Sequence, residues 1–510
     1  MKKHNTSKVV LITMLVFLLL SWILPAAYYS GQYVDQGRVQ MGLFDLFNYP
    51  LTAFSYFGYI ALFLILVGGF YGILYKIPAY RTFLERIVKL FEGKEKIALS
   101  IMVALIALIV SVCGMQFGIA LFIPFIVALI LLMGYDKIVA ALVTVGSIIA
   151  GLIGTTTATN NTSLLTTTLG LDSNYQIGVR WIILLVGIIL VIFNTLMYIK
   201  ANSKIKETKK AEKKAEKKEE VKKVVVKKTP AKKATAKKTT KSSKTRKSSN
   251  KAALIDEDVI IVPAEVSGNH KIWPFVLTFS LLFVLFVLAF ISWGALKIDA
   301  FDKATQAVQE FELFKFPIFA KLLGTINSFG NWTITDLFLP MALTILILVL
   351  IYRIKLDDIF DGFIEGAKKA LAPAALVILL YSILVLVTYH PFQLVIYKAI
   401  LGITKKFNIV TTVLVAMLSG LFNSDIAYSY QAVVPYFTSV VTKSTDYSLA
   451  AIIFQTIYGL TMLVAPTSLV LMGILAYLKI TYKEWLKNIW KLLLEFFVIL
   501  LIIFIILALI

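Results

Sequence analysis

Apolar runs of about twenty residues, closed by short polar or charged stretches, recur along nearly the whole chain. A bilayer's hydrocarbon core is about 30 Å thick and takes roughly 20 residues of helix, so each run predicts a spanning helix. Residues 9–28, 54–75, 179–199, 272–293, 336–352, 370–389 and 489–510 read as uninterrupted spans. Four other apolar stretches are broken inside. The stretch 97–133 is interrupted at Val112-Cys-Gly-Met-Gln-Phe-Gly118, and 138–168 runs into Gly154-Thr-Thr-Thr-Ala-Thr-Asn-Asn-Thr-Ser163. The stretch 409–441 is broken at residues 420–431, and 449–478 at Ala465-Pro-Thr-Ser468. Between spans, residues 76–96 interleave six Lys/Arg and three Glu with apolar positions, the pattern of a helix lying along a membrane surface. Residues 391–407 are similar, and 294–335 form an amphipathic connection. His390, before Pro391, marks a helix end. Lys2 and Lys3 ahead of the first run resemble a signal peptide, but Trp22 and Pro25 leave no small-x-small cleavage site, so this run is expected to remain as a helix.

Composition agrees: 59% of the 510 residues are hydrophobic and 16% charged, against roughly 45–50% and about 25% in soluble proteins. The single Cys113 excludes a disulfide framework, and three histidines argue against a His/Cys metal centre. The net charge of +22 suggests nucleic acid until it is located. Between Lys200 and Ala253 there are 22 Lys/Arg and 5 Asp/Glu, so the rest of the chain carries only +5. This Lys-rich segment has no aromatic residue from Asn202 through Ala253 and no stacking platform for bases, so nucleic acid is not the expected partner. It is expected to be a disordered tether leaning on anionic lipid.

The domain reading is a first transmembrane repeat at 1–199, a disordered cytoplasmic linker at 200–270, an extra helix with its amphipathic connection at 271–335, and a second repeat at 336–510. Basic short loops stay cytoplasmic, which puts the N-terminus, the 76–96 segment and the linker inside a plasma membrane and the C-terminus outside. With that parity each half reads helix, helix, surface segment, interrupted hairpin, broken helix, helix, in opposite orientations. Gln116 and Asn160 lie about 44 residues apart, Asn423 and Pro466 about 43. Matched interruptions in oppositely oriented halves point to a secondary transporter's binding site. The fold class is therefore an all-α polytopic membrane protein of two inverted-topology repeats, with about nine spanning helices plus two re-entrant hairpins.

Candidate solute-binding residues are those at the breaks: Asn160, Asn161, Thr162 and Ser163 in the first half, Asn423, Ser424, Asp425, Thr467 and Ser468 in the second. All carry hydrogen-bonding groups. Gln116 and Gln455 are weaker candidates. A carboxylate at mid-membrane is costly and reads as functional, so Asp425 is a candidate partner for a cationic solute, Na⁺ or a proton; the alternative is that it only caps a helix beginning at Ile426. The Thr-rich run 155–159 has the alternative of back-bonding within a bent helix.

Several segments resemble the YfcC-like members of the C4-dicarboxylate anaerobic carrier (DcuC) family. Ser21-Trp-Ile-Leu-Pro-Ala26 is similar to an opening "TWIIPAG", Tyr175-Gln-Ile-Gly-Val-Arg180 to "SGIGFR", and Phe360-Asp-Gly-Phe-Ile-Glu-Gly-Ala367 to "FxxGA". Phe454-Gln-Thr-Ile-Tyr-Gly-Leu-Thr461, Ala465-Pro-Thr-Ser468 and Tyr482-Lys-Glu-Trp485 resemble "FQFGDGLTN…TPTSG…YEKW". The resemblance implies the inverted-repeat, re-entrant-hairpin fold of the ion transporter superfamily, and carriage of either basic amino acids or C4-dicarboxylates. The chain departs from the family at Asn160-Asn-Thr162, at Asn423-Ser-Asp-Ile-Ala427, and at Tyr458 where the family has an acidic residue.

The expected function is secondary active transport of a small polar metabolite, ion-coupled or by exchange, with no cofactor beyond a coupling ion and no enzymatic activity. A homodimer is left open. No G-x-x-x-x-G-K-[ST] loop for ATP is present. Because no Lys or Arg lies within any break while Asp425 does, a cationic or zwitterionic amino acid is expected ahead of a C4-dicarboxylate. The competing class is a membrane anchor that presents its basic linker to lipid or nucleic acid.

Overall fold

The computed structural model describes residues 5–29, 33–114, 117–225, 271–324, 326–404, 406–423, 425–441 and 443–509. The first half runs α1 (Asn5–Ile23), β1 (Ala26–Tyr29), β2 (Tyr33–Gly37), α2 (Asp45–Lys76), α3 (Pro78–Leu90), α4 (Glu95–Cys113), α5 (Ile123–Leu132), α6 (Lys137–Ile153), α7 (Thr159–Leu169) and α8 (Ile177–Val225). A connecting region follows, with α9 (Trp273–Phe290), α10 (Ala300–Glu310) and α11 (Ile318–Leu323). The second half runs α12 (Phe338–Tyr352), α13 (Leu356–Tyr389), α14 (Gln393–Leu401), α15 (Ile409–Phe422), α16 (Ile426–Val440), α17 (Ser444–Thr461), α18 (Leu469–Leu478) and α19 (Tyr482–Leu509). Among the described residues α1, α2, α4, α8 as far as Asn202, α9, α13 and α19 are long and apolar enough to cross a membrane. Their outer faces are apolar too. On α1, Val10, Met14 and Phe17 are buried while Leu11, Leu15 and Leu19 are exposed, as a helix between protein and lipid requires. The protein is an all-α polytopic membrane protein.

The helical elements α1–α8 recur in order as α12–α19. Long helices α2 and α13 match; so do the short α3 and α14, the hairpins α4–α5 and α15–α16, the broken helices α6–α7 and α17–α18, and the closing helices α8 and α19. Local chemistry sets the ends. Pro78 opens α3, where its missing N–H costs nothing. Asp136 caps α6 by accepting from the Val139 amide at 3.0 Å, and Asn408 caps α15 by accepting from Val410 and Thr411. Gly114 ends α4 at φ +68°, a left-handed conformation that glycine adopts without strain.

The halves meet where α2 crosses α13. Gly68 and Gly72 face Gly362 and Gly366, and a Cβ added at Gly68 would lie 2.6 Å from the Gly366 carbonyl oxygen and 2.6 Å from Ala370 Cβ. The later a residue falls on α2, the earlier its partner on α13. Tyr49 stacks on Tyr389 and Phe57 on Tyr381, and Lys76 reaches Glu365 at 3.4 Å. α2 and its counterpart α13 thus run antiparallel, as an inverted second half requires. Small residues four apart let backbones approach where no hydrophobic effect drives helices together.

Two features differ from expectation. Strands β1 and β2 form an antiparallel hairpin where the sequence reading put the end of the span 9–28 and the residues after it; Tyr29 and Tyr33 donate from it to the carbonyls of Pro435 (3.0 Å) and Ala432 (2.9 Å) on α16. α8 also continues as helix to Val225, into the stretch expected to be disordered. Its Ala, Glu and Lys are strong helix formers. The linker from 226 to 270 lies outside the described residues.

A methyl group at the crossing has no space to occupy. Gly72→Ala is expected to destabilise the detergent-solubilised protein by about 1–3 kcal/mol, read as a lower midpoint in thermal unfolding. Gly178→Ala, where an added Cβ meets nothing within 4 Å, should leave it unchanged or raise it slightly.

Candidate functional site

Each broken helix frees carbonyls at the end of its first part and amides at the start of its second. At the first break, residues 154–158, hairpin α4–α5 supplies some of the partners. Ser111 Oγ donates to the Gly154 carbonyl at 2.6 Å, and the Thr156 amide donates to the Ser111 carbonyl at 3.0 Å. Arg180, near the start of α8, supplies others. Its Nε donates to the Thr155 carbonyl at 2.7 Å, one terminal nitrogen to Ser173 (2.9 Å) and Tyr175 (3.3 Å), and the other to Thr156. The guanidinium lies 4.7 Å from the centre of the Tyr175 ring and the residue is 1% exposed. A buried cation at a helix C-terminus offsets the partial negative charge of the exposed carbonyls. No Lys or Arg lies within a break in sequence, but Arg180 reaches the first one from the neighbouring helix, in the segment quoted above only for its family likeness.

The second break, residues 462–468, is held in the same way by different chemistry. Thr467 Oγ1 donates to the Gly420 carbonyl at 3.0 Å, tying the break to hairpin α15–α16 as Ser111 ties the first to its hairpin. From α19, Trp485 Nε1 donates to the Leu463 carbonyl at 2.8 Å and the Tyr482 hydroxyl donates to Val464. Ser468 caps α18 by accepting from Leu471 at 3.3 Å. Where α8 brings a cation, α19 brings an indole and a phenol.

The breaks adjoin across α6 and α17. Tyr175 donates to Gln455 Oε1 at 2.8 Å, and Gln455 Nε2 lies 3.4 Å from the carbonyls of Ile153 and Thr155. Gly459 of α17 packs on the Ile153 backbone. Tyr430 of α16 is within electrostatic reach of Arg180, so hairpin α15–α16 contributes to the surroundings of the first break.

The predicted residues are distributed unevenly. Asn161 is 7% exposed and packs beside Gly114 at the hairpin tip, its Oδ1 3.3 Å from where a Cβ would sit; its Nδ2 has no hydrogen-bond partner among the described residues. Thr162 is buried and back-bonds to the Ala158 carbonyl at 3.3 Å. Ser163 is exposed on α7. Asn160 lies in the first turn of α7, but its side chain falls outside the described residues, as do Gln116 and Ser424 entirely. Asn423 is buried, and its carbonyl accepts from the Tyr458 hydroxyl at 3.1 Å. Asp425 caps α16, accepting from Ala427 at 2.8 Å and Tyr428 at 3.4 Å. Its carboxylate is also within electrostatic reach of the phenols of Tyr59, Tyr381 and Tyr458.

A cavity of about 120 Å³ reaches from the α2–α13 crossing to the tip of hairpin α4–α5 at Phe117 and to the start of α18 at Leu469, beside the second break. Apart from Tyr71, Tyr75, Tyr477 and Lys369, its lining is apolar, led by Ile60, Phe63 and Val67. It offers few partners to a polar solute, which desolvation would penalise there.

The model of the C4-dicarboxylate anaerobic carrier (DcuC) family matches residues 5–509, nearly the whole chain, and the chain belongs to that family. Comparison with curated proteins and with solved structures gives no match. The family makes the protein a secondary carrier of the cell's membranes and not an enzyme.

Removing Arg180 leaves several buried carbonyls without donors. Arg180→Met is expected to destabilise the purified protein by about 3 kcal/mol or more, and Trp485→Phe, which removes one indole donor, by about 1–2 kcal/mol. Thermal unfolding in detergent reads both, and equal losses would mean that the further bonds and the charge of Arg180 add nothing to the stability that one donor gives.

Proposed function

We propose that this family member carries a small carboxylate of the C4-dicarboxylate class, coupled to an ion gradient or by exchange, with the solute held between the two hairpin tips and the two helix breaks. The observation that supports this reading is Arg180. All its hydrogen bonds go to carbonyl oxygens, and no Asp or Glu of the described residues pairs with it. A buried cation without a counter-ion creates a positive potential in a low dielectric. The N-terminus of α7, also favourable to anions, starts beside it, and the unspent Nδ2 of Asn161 is a donor suited to a carboxylate oxygen. The family's description points to the same solute class.

A second reading, an amino-acid carrier that accepts basic side chains as the YfcC-like resemblance suggests, is favoured by Asp425, the carboxylate at the tip of hairpin α15–α16. In the dicarboxylate reading Asp425 serves the coupling ion, Na⁺ or a proton. Basic short loops support a plasma-membrane orientation with the N-terminus and linker cytoplasmic, the linker lying on anionic lipid and the C-terminus outside.

Proteoliposomes loaded and challenged with succinate, arginine, ornithine and neutral amino acids distinguish these readings. Succinate uptake or exchange at least tenfold above the amino acids is expected; preferential arginine or ornithine exchange would transfer the assignment to the second reading. Deleting residues 204–253 should leave transport within about twofold of the parent, whereas a membrane anchor built to present its basic linker would show a phenotype that follows the deletion.

Asp425→Asn separates charge from capping, because Asn caps a helix as well as Asp. The variant is expected to express and unfold like the parent but to transport at least tenfold more slowly, or without dependence on the ion gradient. Transport indistinguishable from the parent would leave Asp425 with the cap alone.

A further inference from the structure

α9 belongs to neither repeat, yet it packs on the first half-site. Its phenylalanines clasp hairpin α4–α5: Phe122 meets Phe279, Phe283 and Phe286 at ring-centre distances of 6.0, 5.2 and 5.1 Å, and Phe125 meets Phe279 at 5.2 Å. Just past its end, Ser292 is 5% exposed. Its Oγ accepts from Thr159 Oγ1 at 2.9 Å and from the Thr159 amide at 3.4 Å.

Thr159 is the first residue of α7, an eleven-residue helix, and its amide is among those that have no partner within the helix. The residue before it, Ala158, has no side chain able to cap, and α7 shows no side-chain cap of its own. The usual remedy is a side-chain oxygen on the residue just before the helix, accepting from the second or third amide; here a serine oxygen from 133 residues away accepts from the first. Two residues on, in the same first turn, Asn161 is more than nine-tenths buried with its Nδ2 unpartnered, so this helix start carries an unspent donor as well as its dipole.

We infer that Ser292 is a positioning residue of the first half-site: it caps α7 from outside both repeats and fixes the first turn so that Asn161 Nδ2 and the neighbouring amides present themselves to a carboxylate oxygen of the solute. This rests on the proposed carboxylate carrier, and it makes the extra helix part of the transport machinery. The cap holds α7 in register against hairpin α4–α5, to which α9 is already fastened by its rings.

The test uses the full chain with Ser292→Ala and Ser292→Thr, both checked for monodispersity. In proteoliposomes Ser292→Ala should raise the KM for succinate about three- to tenfold with the maximal rate within twofold, and Ser292→Thr, which keeps the acceptor oxygen, should restore KM. Hydrogen–deuterium exchange should show faster exchange at residues 159–162 in Ser292→Ala and parental protection in Ser292→Thr. Parental KM and parental protection in Ser292→Ala overturn the inference, as does a Thr variant that behaves like Ala. If the parent does not exchange succinate, the carboxylate reading fails by itself. The exchange at 159–162 still decides the role of Ser292: faster exchange in the Ala variant sustains the cap, and unchanged exchange overturns it.

Discussion

A carbonyl freed by a helix break inside a bilayer has no water to turn to, so a break persists only where other parts of the chain bring donors to it. That requirement organises this protein. Ser111 and Arg180 answer it at the first break, Thr467, Trp485 and Tyr482 at the second. Each break is served by its own half's hairpin on one side and its own half's closing helix on the other. The hairpins therefore have a structural reason to sit against the breaks, independent of any solute. The polar pocket that a carrier needs is a by-product of satisfying the backbone.

The crossing of α2 and α13 supplies the frame. Because Gly68 and Gly72 run antiparallel against Gly362 and Gly366, each half places its hairpin and broken helix in opposite sense about one contact. Side chains larger than hydrogen would separate the backbones, and the tyrosine stacking further along both helices would lose register. The apolar cavity beside this crossing is lined by Gly68 and Gly366 on one side and by Phe117 and Leu469 on the other, so it joins the glycine contact to the first hairpin's tip and to the second break.

Hydropathy located the spans and all four interruptions, since an apolar run that changes abruptly to Thr, Asn and Ser is visible in one sequence. The surface helices at 76–96 and 391–407 were legible from charge interleaved with apolar residues. Arg180 was not, because it stands second in an apolar span and reads as an interfacial charge; only the path of the chain carries its guanidinium back to residues 155 and 156. The paired Gly-x-x-x-Gly signals at 68–72 and 362–366 are present in the letters, but one sequence does not show that the two face each other. Ser292 carried no signal, since an N-cap is sought next to its helix and this one is supplied from a distant segment. The strand hairpin was missed because nine residues of mixed polarity show no period of two; it is held by tyrosine bonds to α16.

The two halves match in architecture and differ in charge. Arg180 is fixed by bonds to four carbonyls, two on the first helix break and two in the turn before α8, and Asp425 by two amides at the start of another helix. Arg180 cannot swing to Asp425 without abandoning buried carbonyls, which would cost more than an ion pair returns, and Asp425 is held at its own helix start by its capping bonds. A core selected only for stability would neutralise such charges against each other or replace them with apolar residues. Holding them apart leaves a positive region at the first break and a negative one at the second hairpin tip. In the proposed reading an anionic solute takes the first and a cation the second, so each site is more favourable when the other is filled. Coupling of the two fluxes then follows from electrostatics that the backbone's own hydrogen bonds keep in place.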